Sequence, residues 1–391
     1  VTGEYPPMQG GVGAFTRELA RTLAQTGHDV HIFTRIEARP APGADASDDV
    51  NVSACVSGCW GWPVTGTIRQ WARENRLDVV NVQFQTAAYN MHPAIHWLPA
   101  RLREMPVVVT FHDLRAPYLF PKAGPARRWV VRKLAQDADG VIATDRADEA
   151  ILRNEWHIVR LAWVPIGSNV STTPPPGYDR ASWRAALGIG PNDLLIAYFG
   201  FLNESKGGLV LIEALAQLAA ESVPAHLVMI GGRAGASDPT DVAYGRRVDA
   251  LIEACGLLDR VHWTGFVDDP QVSAHFYASD VTALPYLDGV SLRRGTLMAA
   301  LAHGRAIVTT TPERDAPELA GVVETVPPGD ARALAGAIRR LWHSPGERQR
   351  LERAALASSR NFSWRQIAAR TAEFFASVAA ASPLRVSEPV A

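Results

Sequence analysis

The stretch Asp288-Gly289-Val290-Ser291-Leu292-Arg293-Arg294-Gly295-Thr296 follows the apolar run from Asp280 to Pro285 and decides how the chain is read. It predicts a strand, an acidic turn and then a new helix continuing through Leu297 to His303. A helix that begins there presents unpaired backbone N–H groups and the positive end of its dipole to whatever fills the turn. A phosphate or diphosphate suits that place. A second glycine turn, Gly10-Gly11-Val12-Gly13, also opens a helix, near the N-terminus. Two such cradles, far apart in sequence, predict a binding cleft between two domains.

Outward from these turns, helical and strand signals alternate. Ala14 to Gln25 carries Phe15, Leu19 and Leu23 at helical spacing, with Gly27 as its stop. Val30 to Thr34, Asp78 to Phe84, Val107 to Phe111 and Val141 to Thr144 read as strands. After a linker from Pro165 to Tyr178 the pattern restarts, with strands at Leu194–Phe199, His226–Ile230, Val261–Thr264, Val281–Leu284 and Ala306–Thr310. Helices are expected from Gly208 to Leu218 and around Val248 to Cys255. Ser363 reads as the N-cap of a last helix from Trp364 to about Val378. Strands joined by helices give a doubly wound α/β fold, with ligands at the carboxyl ends of the strands. The expected division is an N-terminal domain over 1–170, a C-terminal domain over 171–360, a final helix over 361–381 and a frayed tail over 382–391.

At 391 residues the chain is long enough for two α/β domains. A formal charge of −1 gives no global field to recruit nucleic acid. The three cysteines, Cys55, Cys59 and Cys255, cannot build a disulfide framework and lack zinc spacing. They read as small semi-buried residues of a cytoplasmic protein. No apolar run approaches a membrane-spanning length, and no signal peptide is visible. A sheet around the first glycine turn needs a strand before it, so the sequence is expected to begin within such a strand or after it.

Taken in order, the motifs become specific. Glu4-Tyr5-Pro6-Pro7 followed by Gly10-Gly11-Val12-Gly13 resembles the opening of retaining GT-B glycosyltransferases of family 4, the group 1 glycosyl transferases. Thr110-Phe111-His112-Asp113 is similar to that family's histidine after an N-domain strand. Gly200-Phe201-Leu202-Asn203-Glu204-Ser205-Lys206-Gly207 is similar to its glycine-to-lysine donor loop. Ile230-Gly231-Gly232, Thr264-Gly265-Phe266-Val267 and Leu284-Pro285 through His303-Gly304 follow in the family's order, so the resemblance spans nearly the whole chain.

The resemblance implies two Rossmann-like domains facing an interdomain cleft, the first binding the acceptor and the second most of a nucleotide-sugar donor. It also implies a last helix that crosses back to the N-terminal domain. The implied activity is that of a nucleotide-sugar-dependent hexosyltransferase, without a metal or other cofactor. His112, Lys206 and Asp288 would be catalytic. Gly10, Gly11, Gly13, Gly289, Val290, Ser291, Arg293 and Arg294 would surround the diphosphate, and Gly232, Phe266, Val267 and Thr296 the nucleoside. His112 would bond the donor sugar or the leaving phosphate, and Asp288 the sugar hydroxyls or backbone groups near them. The chemistry is consistent with these residue types. A leaving diphosphate gains negative charge, which preorganised N–H groups and a lysine stabilise, and glycine lets the backbone approach closely.

Three positions depart from the family. Phe201 stands where the donor loop usually has an arginine, Thr296 where a glutamate binds ribose, and Asp288 where a glutamate opens the paired-acid motif. Arg293 or Arg294 would then compensate, because cations at a helix start are more easily explained by a bound anion. The same departures leave open a degenerate nucleotide-sugar-binding protein without turnover, and a sugar-nucleotide epimerase on this fold is a third reading.

Other segments have two explanations each. Gly10 to Gly13 resembles a dinucleotide fingerprint, but Thr16 holds the third glycine place and Thr34-Arg35 ends the second strand instead of an acid. Asp137-Ala138-Asp139 has the form of a metal-binding triplet but reads as surface charge. Gln83, Gln85, Tyr89 and His92 follow an N-domain strand and would touch an acceptor sugar, lipid-linked glycan or small molecule; loop capping is the alternative. Arg127, Arg128, Arg132 and Lys133, with Trp129 among them, form either a solvated helix face or a patch for anionic headgroups at the inner face of a membrane.

Overall fold

The β-branched runs of the sequence become buried parallel strands. In the computed structural model, which describes residues 1–8, 10–39, 50–114, 124–232 and 239–381, two units divide the chain. The side chains of 124–127 and 239–240 also lie outside the description.

The first unit is Val1–Gly167 together with Ser363–Ala391. Its elements run α1 (Gly11–Gln25), β1 (Val30–Arg35), β2 (Val50–Val56), α2 (Trp62–Glu74), β3 (Val80–Phe84), α3 (Leu98–Arg101), β4 (Val107–Phe111), α4 (Gly124–Asp137), β5 (Gly140–Ala143), α5 (Arg146–Asn154) and β6 (Leu161–Trp163). β1 pairs in parallel with β2, and a second parallel sheet has the order β3-β4-β5-β6. Val1 and Thr2 lie between the sheets: the Thr2 N–H donates to Phe33 O at 3.0 Å and the Gln83 N–H to Val1 O at 2.9 Å. Alongside is a cavity of about 530 Å³ lined by residues including Leu19, Ile32, Val80, Asn81 and Phe375.

The second unit is Ser168–Phe362. It contains α6 (Arg180–Ala186), β7 (Leu194–Phe199), α7 (Gly208–Ala220), β8 (Ala225–Ile230), α8 (Pro239–Ala254), β9 (Val261–Gly265), α9 (Asp269–Ala278), β10 (Val281–Leu284), α10 (Gly295–Ala302), β11 (Ile307–Thr310), β12 (Glu324–Val326), α11 (Ala331–His343) and α12 (Pro345–Ser359). Its six parallel strands are ordered β12-β11-β10-β7-β8-β9. Strand order reverses between β7 and β10, which makes their carboxyl ends the crevice where such sheets bind ligands. Leu194, Ile196 and Tyr198 of β7 join Leu211 and Leu215 of α7 in the core beneath it.

The last helix, α13 (Trp364–Ala381), belongs to the first unit and packs on α1. The Phe15 and Trp364 rings meet edge to face at 5.2 Å, and Leu19, Leu23, Ile367 and Val378 are buried around them. Each such side chain contributes roughly 1.5–3 kcal/mol by leaving water. The predicted tail over 382–391 lies outside the described residues.

Three sequence expectations change. All three cysteines are exposed: Cys55 on the outward side of β2, Cys59 in the following turn and Cys255 beyond the end of α8. Asp139 is more than surface charge, since its Oδ2 accepts the Val107 N–H at 2.9 Å and caps the start of β4. The helix expected directly after Asp288 begins only at Gly295, because turns at 287–288 and 292–293 intervene. Arg293 and Arg294 therefore precede the helix, with Arg294 at its N-cap.

Candidate active site

The loops after β7 and β10 are tied to each other at the crevice. Asn203 accepts the Lys206 N–H at 3.2 Å through Oδ1, shaping the loop after β7, and the Leu287 N–H donates to Ser205 O at 2.8 Å. Lys206 is thereby held beside Gly200 and Thr296. A Cβ on Gly200 would stand 3.1 Å from Lys206 Nζ and 2.8 Å from Thr296 Cγ2, and Gly200 has φ +118°. Only glycine fits there without strain.

Lys206 has an unusual electrostatic setting. Burial, and then the nearby Arg294 charge, push its ammonium down to about 8, with Asp241 opposing the shift. Among the described residues no side chain or carbonyl accepts a hydrogen bond from Nζ. Arg294 stacks over the Tyr286 ring at 4.6 Å and is ion-paired with Asp288. The Tyr286 hydroxyl meets Thr296 Oγ1 at 2.6 Å. Among the described residues no side chain caps α10, and its first turn carries no acid. Two cations thus converge on open backbone amides, an arrangement suited to an oxyanion.

The remaining C-terminal expectations separate. Arg293 is exposed, whereas Arg294 is the arginine of this cluster. Val290 is buried, and Gly289 sits against the backbone of Thr311 and Glu313. Ser291 is half-buried, with its carbonyl accepting the Arg294 N–H. Thr296, expected at ribose, is engaged with Tyr286 instead. Gly231 and Gly265 form an antiparallel bridge at the ends of β8 and β9, with Gly232 following the first and Phe266 and Val267 following the second. Phe266 is 83% exposed, presenting a ring face to solvent. Phe201 is 42% exposed, so its replacement of a cation leaves an apolar side chain on the surface.

In the first unit, the expected phosphate cradle is already filled. Glu4 Oε1 accepts the Val12 and Gly13 N–H groups at 2.9 and 3.0 Å, and its carboxylate lies against Gly10. A protein anion occupies the start of α1 where phosphate was expected, and Gly11 stays open. His112 follows β4 and faces Gln83 Oε1 through Nε2 at 2.8 Å. Burial pushes its imidazole down to about 4, so it is neutral at ordinary pH.

The four acceptor candidates do not form one surface. Tyr89 is fully buried, its hydroxyl donating to Val1 O and Gln83 O at 3.1 and 3.0 Å, so it is a core residue. His92 Nδ1 accepts the Ala94 N–H at 3.1 Å as a loop cap. Gln85 bonds Asp113 at 3.4 Å. Gln83 is buried behind His112. On α4, Val131 and Leu134 are buried while Trp129 is 56% exposed and Arg128 pairs with Glu155 at 2.8 Å; the Arg127 side chain lies outside the described residues. Among the described residues no group of three or more His, Cys, Asp or Glu is gathered to hold a metal ion.

Comparison with known proteins decides the family. Residues 10–167 match the glycosyl transferase 4-like domain, and residues 193–344 match the glycosyl transferases group 1 family. The chain is a group 1 glycosyltransferase. A relative of this glycosyltransferase in Xylanimonas cellulosilytica, named D-inositol 3-phosphate glycosyltransferase, is 29% identical over 96% of this chain and 94% of its own. Sucrose-phosphate synthase from Thermosynechococcus elongatus superimposes with a TM-score of 0.74 at 23% identity, over 95% of this chain and 94% of that one. HepE of Anabaena, solved in complex with UDP, gives 0.74 at 20% identity over 95% and 98%. The glycosyltransferase has the GT-B fold. Asn81 and Tyr286, which bond key site residues, were missed in the sequence because an asparagine within a strand and a tyrosine after one carry no motif.

Proposed function

We propose that this glycosyltransferase moves a hexosyl group from a nucleoside diphosphate sugar to an acceptor hydroxyl, with retention of configuration and no metal ion. The observation that carries the reading is the convergence of Lys206 and Arg294 beside the uncapped start of α10. As the bond from the anomeric carbon to the phosphate oxygen breaks, charge grows on the diphosphate. Lys206, Arg294 and the first α10 amides stabilise it. The acceptor oxygen bonds the anomeric carbon from the same face, and its proton passes to the departing phosphate oxygen. Support for that front-face route is that Asp288 and Glu4 are already engaged, by Arg294 and by backbone amides. Phe266 offers the nucleobase an aromatic face.

The solved neighbour with UDP makes UDP-sugars the first donors to try, and the named relatives make an inositol phosphate the first acceptor. The test is transfer and donor hydrolysis with UDP-, GDP-, ADP- and dTDP-hexoses in excess chelator, with the product anomer read by NMR. Retained anomer in chelator is the expected result. Activity that needs added magnesium or manganese overturns the metal-free clamp, and binding without turnover of any donor points to the non-catalytic reading.

The exposed Trp62 and Trp129, with Arg101 stacked 4.9 Å over Trp62, also suit contact with an anionic lipid surface. Vesicles rich in anionic lipid should bind the protein at low salt and release it as salt rises. No binding at low salt leaves the face simply solvated.

A further inference from the structure

Behind His112 a line of amides reaches back into the sheet. Asn81 Nδ2 donates to Val108 O at 3.2 Å and to Thr110 Oγ1 at 2.9 Å. A carbonyl oxygen can only accept, so Val108 fixes which way the Asn81 amide points: nitrogen toward β4, oxygen toward Gln83. Gln83 Nε2 donates to that oxygen, which leaves Gln83 Oε1 facing His112 Nε2. An acceptor opposite a ring nitrogen requires an N–H there, so the imidazole proton resides on Nε2 and Nδ1 keeps its lone pair. No described residue donates to Nδ1.

We infer that Asn81 and Gln83 are positioning residues that set the His112 tautomer and make Nδ1 a hydrogen-bond acceptor for substrate. Gln83 is suited to this task because its own backbone is pinned, the N–H to Val1 O at 2.9 Å and the carbonyl to Tyr89 at 3.0 Å. An acceptor at Nδ1 takes the O–H of a sugar and gives nothing to a phosphate oxygen. Of the two roles expected for His112, bonding the donor sugar follows. The activity part of this inference rests on the glycosyl-transfer reading, whereas the tautomer does not.

The test uses the full chain labelled with ¹⁵N-histidine, with the His112 signals assigned by their absence in His112→Gln. At neutral pH the wild type should show a protonated Nε2 and an unprotonated Nδ1. In Gln83→Leu that preference should disappear and kcat/KM for the donor should fall roughly ten- to a hundredfold, since an Nδ1 that carries the proton can no longer accept the sugar O–H. Asn81→Leu, which leaves Gln83 in place but free to flip, should give a mixed tautomer and an intermediate loss. A wild-type proton on Nδ1 overturns the inference. So does a Gln83→Leu protein that keeps Nε2–H and loses only thermal stability. If no form turns over a donor, the transfer reading fails while the nitrogen spectra still decide the tautomer.

Discussion

The two glycine turns that open α1 and α10 look interchangeable in sequence and differ in what surrounds them. At α1 the free amides are filled by Glu4, a carboxylate from the same chain. At α10 no described acid or side-chain cap intervenes, and Lys206 and Arg294 stand close by. A helix start supplies only a partial positive charge. Whether it receives a ligand depends on whether the protein has already spent it on one of its own anions.

Removing the cation at the open site should have the largest effect. Lys206→Ala is expected to lower kcat by about a hundred- to a thousandfold with a smaller change in donor affinity, because charge on the diphosphate peaks in the transition state. Affinity lost at unchanged saturated turnover would break the contrast. Next, Arg294→Ala should cost roughly ten- to a hundredfold in kcat/KM, as a charge-assisted contact is worth about 1.5–3 kcal/mol. The exposed neighbour supplies the control: Arg293→Ala should change kcat/KM less than about threefold. Equal losses at both positions would contradict the assignment of Arg294 alone.

Proton loss gives a milder version of the same deletion. Lys206 is held down to about 8 by burial and Arg294, so the free enzyme loses this charge as pH rises through that value. The kcat/KM profile should bend downward above about pH 8, while kcat holds to higher pH because a bound diphosphate favours the charged lysine. The sign for stability is the reverse. The fold disfavours the charged form, so the ligand-free protein should gain stability between about 8 and the ordinary value of 10.5. A kcat/KM flat to pH 10 would remove Lys206 from the mechanism. The smallest effect belongs to the filled site. Glu4→Ala should lower stability by about 0.5–2 kcal/mol, as loss of an N-terminal cap does, with donor KM nearly unchanged. A marked gain in donor affinity would show that phosphate competes with Glu4 for the α1 amides.

Periodicity made the main strands legible. β4 and β10 were read with their observed ends, since buried parallel strands are continuous apolar runs. β2 was missed because Asn51, Ser53 and Cys55 break that run on a strand at the edge of its sheet. At the candidate site, the motifs pointed to Lys206 and the β10 loop, but motif order is blind to what side chains do to one another. Nothing local announces that Glu4 bends back onto Val12 and Gly13, or that Tyr89 turns its hydroxyl inward. The choice between Arg293 and Arg294 likewise needed the observed start of α10, one turn later than the sequence suggested.

An ammonium that donates to no described residue does not distinguish the anion that arrives from the one that departs. The nucleoside diphosphate left after transfer carries at least as much negative charge as the donor, so Lys206 and Arg294 should retain it. Product inhibition is then built into the clamp, and its relief would depend on whatever consumes nucleoside diphosphate nearby. At the bench, phosphate and sulfate buffers would act as competitors.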